Sequence, residues 1–587
     1  MRLGRPGHRL SIGFGVVCVL LLVVTGRLVQ LQGVGVSDYA SAATREHVRT
    51  EPLHAARGSI VDRNGVVLAY TADAKDVIAD PSLINCTYQD AAKDQCRPQD
   101  HLTLALKLSE LTGAATDKIL AGLALKTRYA VIAQAVAPVQ AQQVDALKIN
   151  GIFVQPTTER LYPGGTTGSN IVGLVHSDGT GAAGIEAQFN TLLQGKDGTY
   201  TYDLTATGGV NPAGTSRRTA AVNGSTVHLT VSQDLQFVVQ RDLNAAVKKL
   251  RAKSGNVVVL DAKSGQVLAL AGSETAKFNS QDPSTYPAKL SADSAIQMPY
   301  EPGSVSKILT FSAALQKGLI TPTTVLTVPD RLKINDVTIH DDWYHNPLHM
   351  TATGILAESS NVGTLKIAQK LGPTSFMQYL NAFGVGHATG IELPGEDTGS
   401  LIPQSQWSSS TYANFPIGQG FSITPLQLAS VYQTIANDGV RIPPRIVSEV
   451  TNPDGTVVAT KQPAGVRVVS AATARTMRTM LESVLLKGGT AAKSKLKDYR
   501  VAGKTGTAQQ IINGHYSRSI YWDSFAGIVP ADNPQFVVAV MINAPADGLF
   551  GAQTAAPLFH DIATYQVQHA GILPSATQAP LVPLEVK

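Results

Sequence analysis

The stretch Val257-Val258-Val259-Leu260-Asp261-Ala262-Lys263-Ser264-Gly265-Gln266-Val267-Leu268-Ala269-Leu270 holds two apolar runs on either side of a polar turn. Apolar runs without alternation mark strands buried on both faces, and a connection this short joins them antiparallel. A second pair follows near the other end of the chain, residues 524–529 and 536–542 flanking Pro530-Ala531-Asp532-Asn533-Pro534. Helical runs occupy the sequence between the two pairs. Strands at both ends with helices between them predict an α/β (α+β) layered domain, with a central antiparallel sheet flanked by helices.

At 587 residues the chain exceeds one ordinary domain, and about two or three are expected. With 43% hydrophobic and 16% charged residues it can bury enough apolar surface to exclude a disordered chain. Three cysteines exclude a disulfide-built scaffold. A net charge of +5 from 48 basic and 43 acidic residues gives no reason to expect nucleic-acid binding. A mean hydropathy of +0.04 excludes a polytopic membrane protein.

One membrane signal stands out. Residues 12–26 (IGFGVVCVLLLVVTG) carry no charge, Leu28, Val29 and Leu31 extend them, and Arg2, Arg5 and Arg9 precede them. Length and flanking charge predict a cytoplasmic tail (1–10), an uncleaved anchor (11–32) and an exported body. The competing signal-peptide reading places cleavage at Ala40-Ser41-Ala42, far beyond the apolar core, and a lipid anchor on Cys18 is disfavoured by the bulky Val17 before it. Export leaves open whether Cys86 and Cys96 form a disulfide.

Residues 37–52 read as a helix or stalk. The stretch from Arg57 to Ala69 reads as strand, Asn64-Gly65 turn and strand. Helical periodicity runs over residues 102–125, and Gly-rich loops at 164–184 and 205–224 put the main boundary near Gly224.

The chemistry begins at Tyr300-Glu301-Pro302-Gly303-Ser304-Val305-Ser306-Lys307. Ile308, Phe311 and Leu315 predict a helix starting near Ser304, and this puts Ser304 at the positive helix end with Lys307 one turn on, over the same face. A serine nucleophile needs an adjacent base, and a lysine serves when burial or a neighbouring cation lowers its pKa. Alone, Ser-x-x-Lys also fits an N-cap serine beside a solvated lysine. Two further elements support the catalytic reading: Glu358-Ser359-Ser360-Asn361-Val362-Gly363 and Gly503-Lys504-Thr505-Gly506-Thr507-Ala508.

This ordered trio resembles that of the penicillin-binding proteins and related β-lactamases, with Ser360 in place of a middle aspartate. The chain is similar over most of its length to class B penicillin-binding proteins, the peptidoglycan D,D-transpeptidases. Arg57 to Ala69, Arg160-Leu161-Tyr162-Pro163 and Gly184-Ile185-Glu186 resemble boxes of their non-catalytic domain. The stretch Gly418-Gln419-Gly420-Phe421-Ser422-Ile423-Thr424-Pro425-Leu426-Gln427-Leu428-Ala429 and Ser524-Phe525-Ala526-Gly527 resemble catalytic-domain boxes. No glycosyltransferase-like module is visible ahead of the trio, unlike bifunctional class A proteins. The anchor and early Arg57 box look most like the division-specific, FtsI-type branch, with an elongation-type transpeptidase as the alternative.

The resemblance implies a mixed α/β dimerisation or pedestal domain (45–223), a penicilloyl-serine transferase domain (224–568) and a flexible tail (569–587). It implies Ser304 as nucleophile, Lys307 as its base, Ser359 as proton relay, and Asn361 holding Lys307 and the substrate amide. Lys504 and Thr505 would bind a substrate carboxylate. The backbone N–H groups of Ser304 and Thr507 would form the oxyanion hole, and Gly506 would leave room for substrate beside the strand. No cofactor and no metal are implied. His345 and His349 have the spacing of helical metal ligands, but Pro347 between them favours a polar loop at the rim of the site. The implied partners are peptidoglycan stem peptides, β-lactams, the membrane through one helix, a septal glycosyltransferase and other division proteins. A D,D-carboxypeptidase or β-lactamase using water, and a β-lactam-binding scaffold or sensor, are the other readings.

Overall fold

A computed structural model describes residues 6–30, 32, 48–84, 101–205, 210–273, 293–334, 337–408 and 410–586. Cys86, Cys96 and the 40–42 site lie outside these residues. The chain divides into two compact units, one of residues 1–56 with 195–224, the other of residues 57–194 with 225–587.

The first unit contains the helix Pro6–Val29. Its span Leu10–Val29 has a mean hydropathy of 2.4 and none of that span is buried in protein, so it is long and apolar enough to cross a membrane. The segment expected as a helix or stalk departs from that reading where it is described. Val48–Leu53 is a strand paired antiparallel with Gly198–Asp203, which pairs in turn with Ser216–Thr219.

In the second unit, five antiparallel strands form the central sheet: β1 Ser254–Asp261, β2 Val267–Gly272, β3 Ala502–Ile512, β4 His515–Val529 and β5 Phe536–Asn543, in the order β2-β1-β5-β4-β3. Both expected strand pairs are present. Val257, Val259, Val538 and Val540 face Leu235, Val239 and Leu243 of helix α1 (Gln233–Lys249) and Phe559 and Ile562 of the C-terminal helix Ala555–His569. The alternate residues Val258, Leu260, Val537 and Ala539 pack with Leu428, Val431 and Ile435 of the helix Pro425–Ala436 on the opposite face. Helices on both faces are the reason that the central runs of these strands are apolar at successive positions; each side chain buried so contributes about 1.5–3 kcal/mol.

The boundary expected near Gly224 is crossed by a second sheet. Thr226–Leu229 pairs in parallel with Ile60–Val61 and antiparallel with Val447–Thr451. The Arg57 box forms its hairpin, with Asp62 Oδ1 accepting from the N–H groups of Asn64 and Val66, and Gly65 at φ 82°. Three separate boxes meet behind it: the fully buried Glu186 accepts from Arg57 Nε at 2.6 Å and Arg160 Nε at 2.7 Å. Leaving either arginine without this carboxylate would strand a buried charge, and this explains why the three boxes occur together.

The tail expected to be flexible is instead held. Ser575 N donates to Asp498 O, and Pro583 and Leu584 accept from Thr351.

Candidate active site

Ser304 lies in a 3-10 turn, Gly303–Ser306, that runs directly into helix α2 (Lys307–Gln316). Ile308, Leu309, Phe311, Ala313 and Ala314 are all buried, so α2 is a core helix and its N-terminus is fixed. Ser304 itself is half-buried. The turn is locked by neighbours: Gly303 N donates to Gly418 O at 2.9 Å, and a Cβ at Gly418 would collide with the Gly303 carbonyl oxygen. That close approach is the physical content of the Gly418 box.

Lys307 is fully buried, and its ammonium reaches Ser359 O at 2.6 Å, Asn361 Oδ1 at 2.7 Å and Ser359 Oγ at 3.3 Å. Burial lowers its pKa to about 8, opposed by the charges of Asp342 and Asp341. All three acceptors come from the turn between helices α3 (Ala352–Ala357) and α4 (Asn361–Leu371). In that turn Ser359 takes the left-handed region at φ 67°, and Ser360 caps α4 by accepting from Gly363 N. The Ser-Ser-Asn stretch therefore brings Ser359 and Asn361 to the lysine and uses Ser360 as the cap.

On the other side lies β3. Lys504 is fully buried, and its Nζ donates to Thr505 O at 3.1 Å and Thr505 Oγ1 at 3.3 Å. Its pKa is held well below the ordinary lysine range, by burial first and by the charge of Lys307 second. Thr505 Oγ1 also lies 2.9 Å from Thr490 Oγ1, a neighbour no local motif announced. Gly506 is packed tightly against the turn. A Cβ there would collide with Ser524 Oγ and sit 2.7 Å from Pro302 O, so the missing side chain admits the nucleophile turn. Gly303 likewise faces Thr507, a Cβ on it falling 2.9 Å from Thr507 O. Ser304 and Thr507 are thus placed side by side by two glycines.

His345 and His349 do not share a helix: His349 lies on the strand Leu348–Thr351 with Nδ1 near Thr327 Oγ1, and His345 turns to Asp341.

Residues 255–564 match the penicillin binding protein transpeptidase domain, and residues 52–229 the penicillin-binding protein dimerisation domain. The chain belongs to the penicillin-binding protein transpeptidases. Penicillin-binding protein PbpB of Mycolicibacterium smegmatis is 39% identical over 97% of this chain and 91% of its own length. The peptidoglycan D,D-transpeptidase FtsI of Escherichia coli is 32% identical over 97% and 93%. Penicillin binding protein 3 of Mycobacterium tuberculosis, in its crystal structure with ampicillin, shares 37% identity at a TM-score of 0.72, covering 92% of this chain and 100% of that one. A dimerisation domain ahead of the transpeptidase domain, with FtsI-type relatives, makes this a class B penicillin-binding protein.

Proposed function

We infer that this chain is a serine-type peptidoglycan D,D-transpeptidase that cross-links stem peptides through an acyl-enzyme on Ser304 and is covalently inhibited by β-lactams. The observation that carries the residue assignment is the buried Lys307, one turn after Ser304, gripped by Ser359 and Asn361. An amine with a pKa near 8 is deprotonated often enough at neutral pH to take a proton from a serine hydroxyl.

In this reading Ser304 Oγ attacks the carbonyl carbon of the penultimate D-alanine as Lys307 takes its proton. The carbonyl oxygen becomes an oxyanion between the N–H groups of Ser304 and Thr507, each donor contributing about 3 kcal/mol. Ser359 relays a proton to the departing nitrogen as the C–N bond breaks, and the terminal D-alanine leaves. Lys504 and Thr505 hold its carboxylate, with Gly506 bringing the strand against the turn. An amine from a second stem peptide then attacks the ester and restores Ser304.

Residues 45–223 act as the pedestal and 224–568 as the catalytic domain. The helix Pro6–Val29 anchors the chain with its N-terminus cytoplasmic and the catalytic domain outside, at the division septum beside a glycosyltransferase and other division proteins. What supports the septal role is the likeness to FtsI and PbpB.

The full-length protein in detergent, incubated with labelled penicillin and mapped by peptide mass spectrometry, is expected to carry the adduct on Ser304 and none in Ser304→Ala. An adduct elsewhere, or none in folded protein, overturns the assignment. Cross-linked product that exceeds hydrolysis when an acceptor stem peptide is supplied separates transpeptidation from carboxypeptidation.

A further inference from the structure

Behind the Ser359-Ser360-Asn361 turn lies a carboxylate that the mechanism above does not use. The Asp341 side chain is fully buried. Its Oδ2 accepts from Ser360 Oγ at 2.8 Å and its Oδ1 from Val362 N at 2.9 Å, so one carboxylate grips the residues on either side of Asn361. The adjacent His340 O accepts from Asn361 Nδ2 at 3.1 Å, and this leaves the amide oxygen facing Lys307. His345 Nε2 approaches Asp341 Oδ2 at 3.1 Å from the far side, with the ring almost wholly buried.

We propose that Asp341 and His345 form a positioning clamp that holds the Ser359-Ser360-Asn361 turn in the geometry by which it grips Lys307. The inference rests on the transpeptidase reading and adds two positioning residues to it. The turn needs an external hold because Ser359 is a non-glycine residue in the left-handed region, a conformation that persists only where the surroundings over-determine it. The left-handed turn aims Ser359 O at the ammonium of Lys307, and Asp341 supplies the hold from outside the motif.

The clamp is also sensitive to protonation. His345 Nδ1 lies 2.8 Å from Asn346 O, which can only accept, while Nε2 faces a carboxylate. Both bonds form together only when both ring nitrogens carry a proton, that is, in the imidazolium. Burial opposes that charge, but the bonds to Asn346 and Asp341 and the charges of Asp341 and Asp330 outweigh it, raising the His345 pKa. Glu358, half-buried nearby, is a third carboxylate that interacts with the ring, and the Trp343 ring lies 5.2 Å from the imidazole. Lys307 and Asp342 are the next charges, both electrostatically linked to the same site. Because the folded-state pKa is raised, the clamp is complete below it and weakens as pH rises through it.

The test measures the acylation rate constant of the full-length protein in detergent with a fluorescent penicillin, across about pH 6 to 9, bracketing an ordinary histidine. Asp341→Asn is expected to acylate about 10-fold more slowly, in the rate constant rather than in the penicillin concentration at half saturation. His345→Gln, which keeps one donor to Asp341, is expected to lose about 3-fold or more at the acid end, and the gap to wild type closes as pH rises. A role confined to folding would give a gap independent of pH. Should Asp341→Asn fail to fold, the His345→Gln profile decides alone. Wild-type rates in the folded variants at every pH, or a loss that does not change with pH, overturn the clamp. Failure of wild type itself to acylate would instead overturn the reading of Ser304.

Discussion

The two walls of the cleft each bury a lysine and treat it differently. Lys307 is met by a backbone carbonyl, a hydroxyl and an amide oxygen, all from one clamped turn. Among the described residues, Lys504 has only the carbonyl and hydroxyl of its own neighbour Thr505. Burial depresses both, yet Lys307 keeps a pKa of about 8 while Lys504 is pushed well below the ordinary range. A buried ammonium with few partners is costly, and an anionic ligand removes that cost. In the proposed mechanism Lys307, beside Ser304, transfers the proton, and Lys504, with fewer acceptors, would gain its partner from a substrate carboxylate.

The largest effect should separate the two by role. Lys307→Met is expected to lower the acylation rate constant by about 100-fold to 10,000-fold, the range for removing a general base. Lys504→Met should cost about 10-fold to 100-fold, chiefly in the β-lactam concentration needed, since a charge-assisted contact is worth about 1.5–3 kcal/mol. Stopped-flow acylation with both constants resolved checks this. Equal losses in the same constant would erase the distinction.

Proton inventory sharpens it further. Burial favours the neutral form of Lys504 and a β-lactam carboxylate beside it favours the charged form, so binding should shift the lysine toward protonation. Calorimetry in buffers of different ionisation enthalpy, at neutral pH and with Ser304→Ala to prevent acylation, should register net proton uptake, absent when Lys504→Met is added. Proton release or no exchange would mean that Lys504 is already charged in the free protein. For Lys307 the proposed mechanism uses the neutral amine, so acylation should rise as pH is raised toward about 8. Asn361→Ala removes an acceptor that favours the charged amine, so that limb should move to lower pH while its height falls.

Stability offers a smaller contrast. A lysine whose folded pKa is lowered costs stability in full below that pKa, and the cost fades as pH rises to the unfolded value of about 10.4. Lys504→Met should therefore raise the Tm at neutral pH by about 1–4 °C, with the gain shrinking toward about pH 10. Lys307→Met should give no such gain, because it leaves Ser359 O and Asn361 Oδ1 without their donor. A matched gain in both variants would show that the acceptors around Lys307 do not matter to the fold.

These groups were unequally legible in the sequence. Ser304 and Lys307 are one turn apart, and Ser359 and Asn361 two residues apart, so their juxtaposition follows from local spacing. Lys504 and Thr505 sit in a short motif on one strand. Asp341 and His345 bear no fixed spacing to Ser360; only the path of the 337–351 segment brings them behind it, and a polar loop near Pro347 does not state which way its side chains turn. Thr490 reaches Thr505 from a separate loop for the same reason. The two-faced burial of β1 was readable because the run Val257-Val258-Val259-Leu260 never alternates. The parallel pairing of Thr226–Leu229 with Ile60–Val61, which carries a sheet past Gly224, was not, since nothing local encodes a partner so distant in the chain.

The C-terminal tail tests whether the wall behind Lys307 depends on distant chain in a way that β3 does not. Thr351 N donates to Leu584 O at 2.9 Å, Thr351 Oγ1 to Pro583 O at 2.7 Å, and Val586 N to His349 O at 2.8 Å. The tail thus runs beside the strand Leu348–Thr351, whose last residue caps α3 by accepting from Gly354 N. A Cβ at Gly354 would collide with the Leu584 carbonyl oxygen, so the tail backbone packs directly on the first turn of α3. That helix leads to Ser359. Deleting residues 578–587 removes these hydrogen bonds, each worth about 0.5–1.5 kcal/mol net. The Tm should fall by a few degrees, and acylation by less than about 3-fold, because Asp341 still grips the turn from the other side. An unchanged Tm would mean that the tail merely rests on the domain. A loss of acylation as large as that of Asp341→Asn would mean that the tail, rather than the buried carboxylate, holds the wall in place.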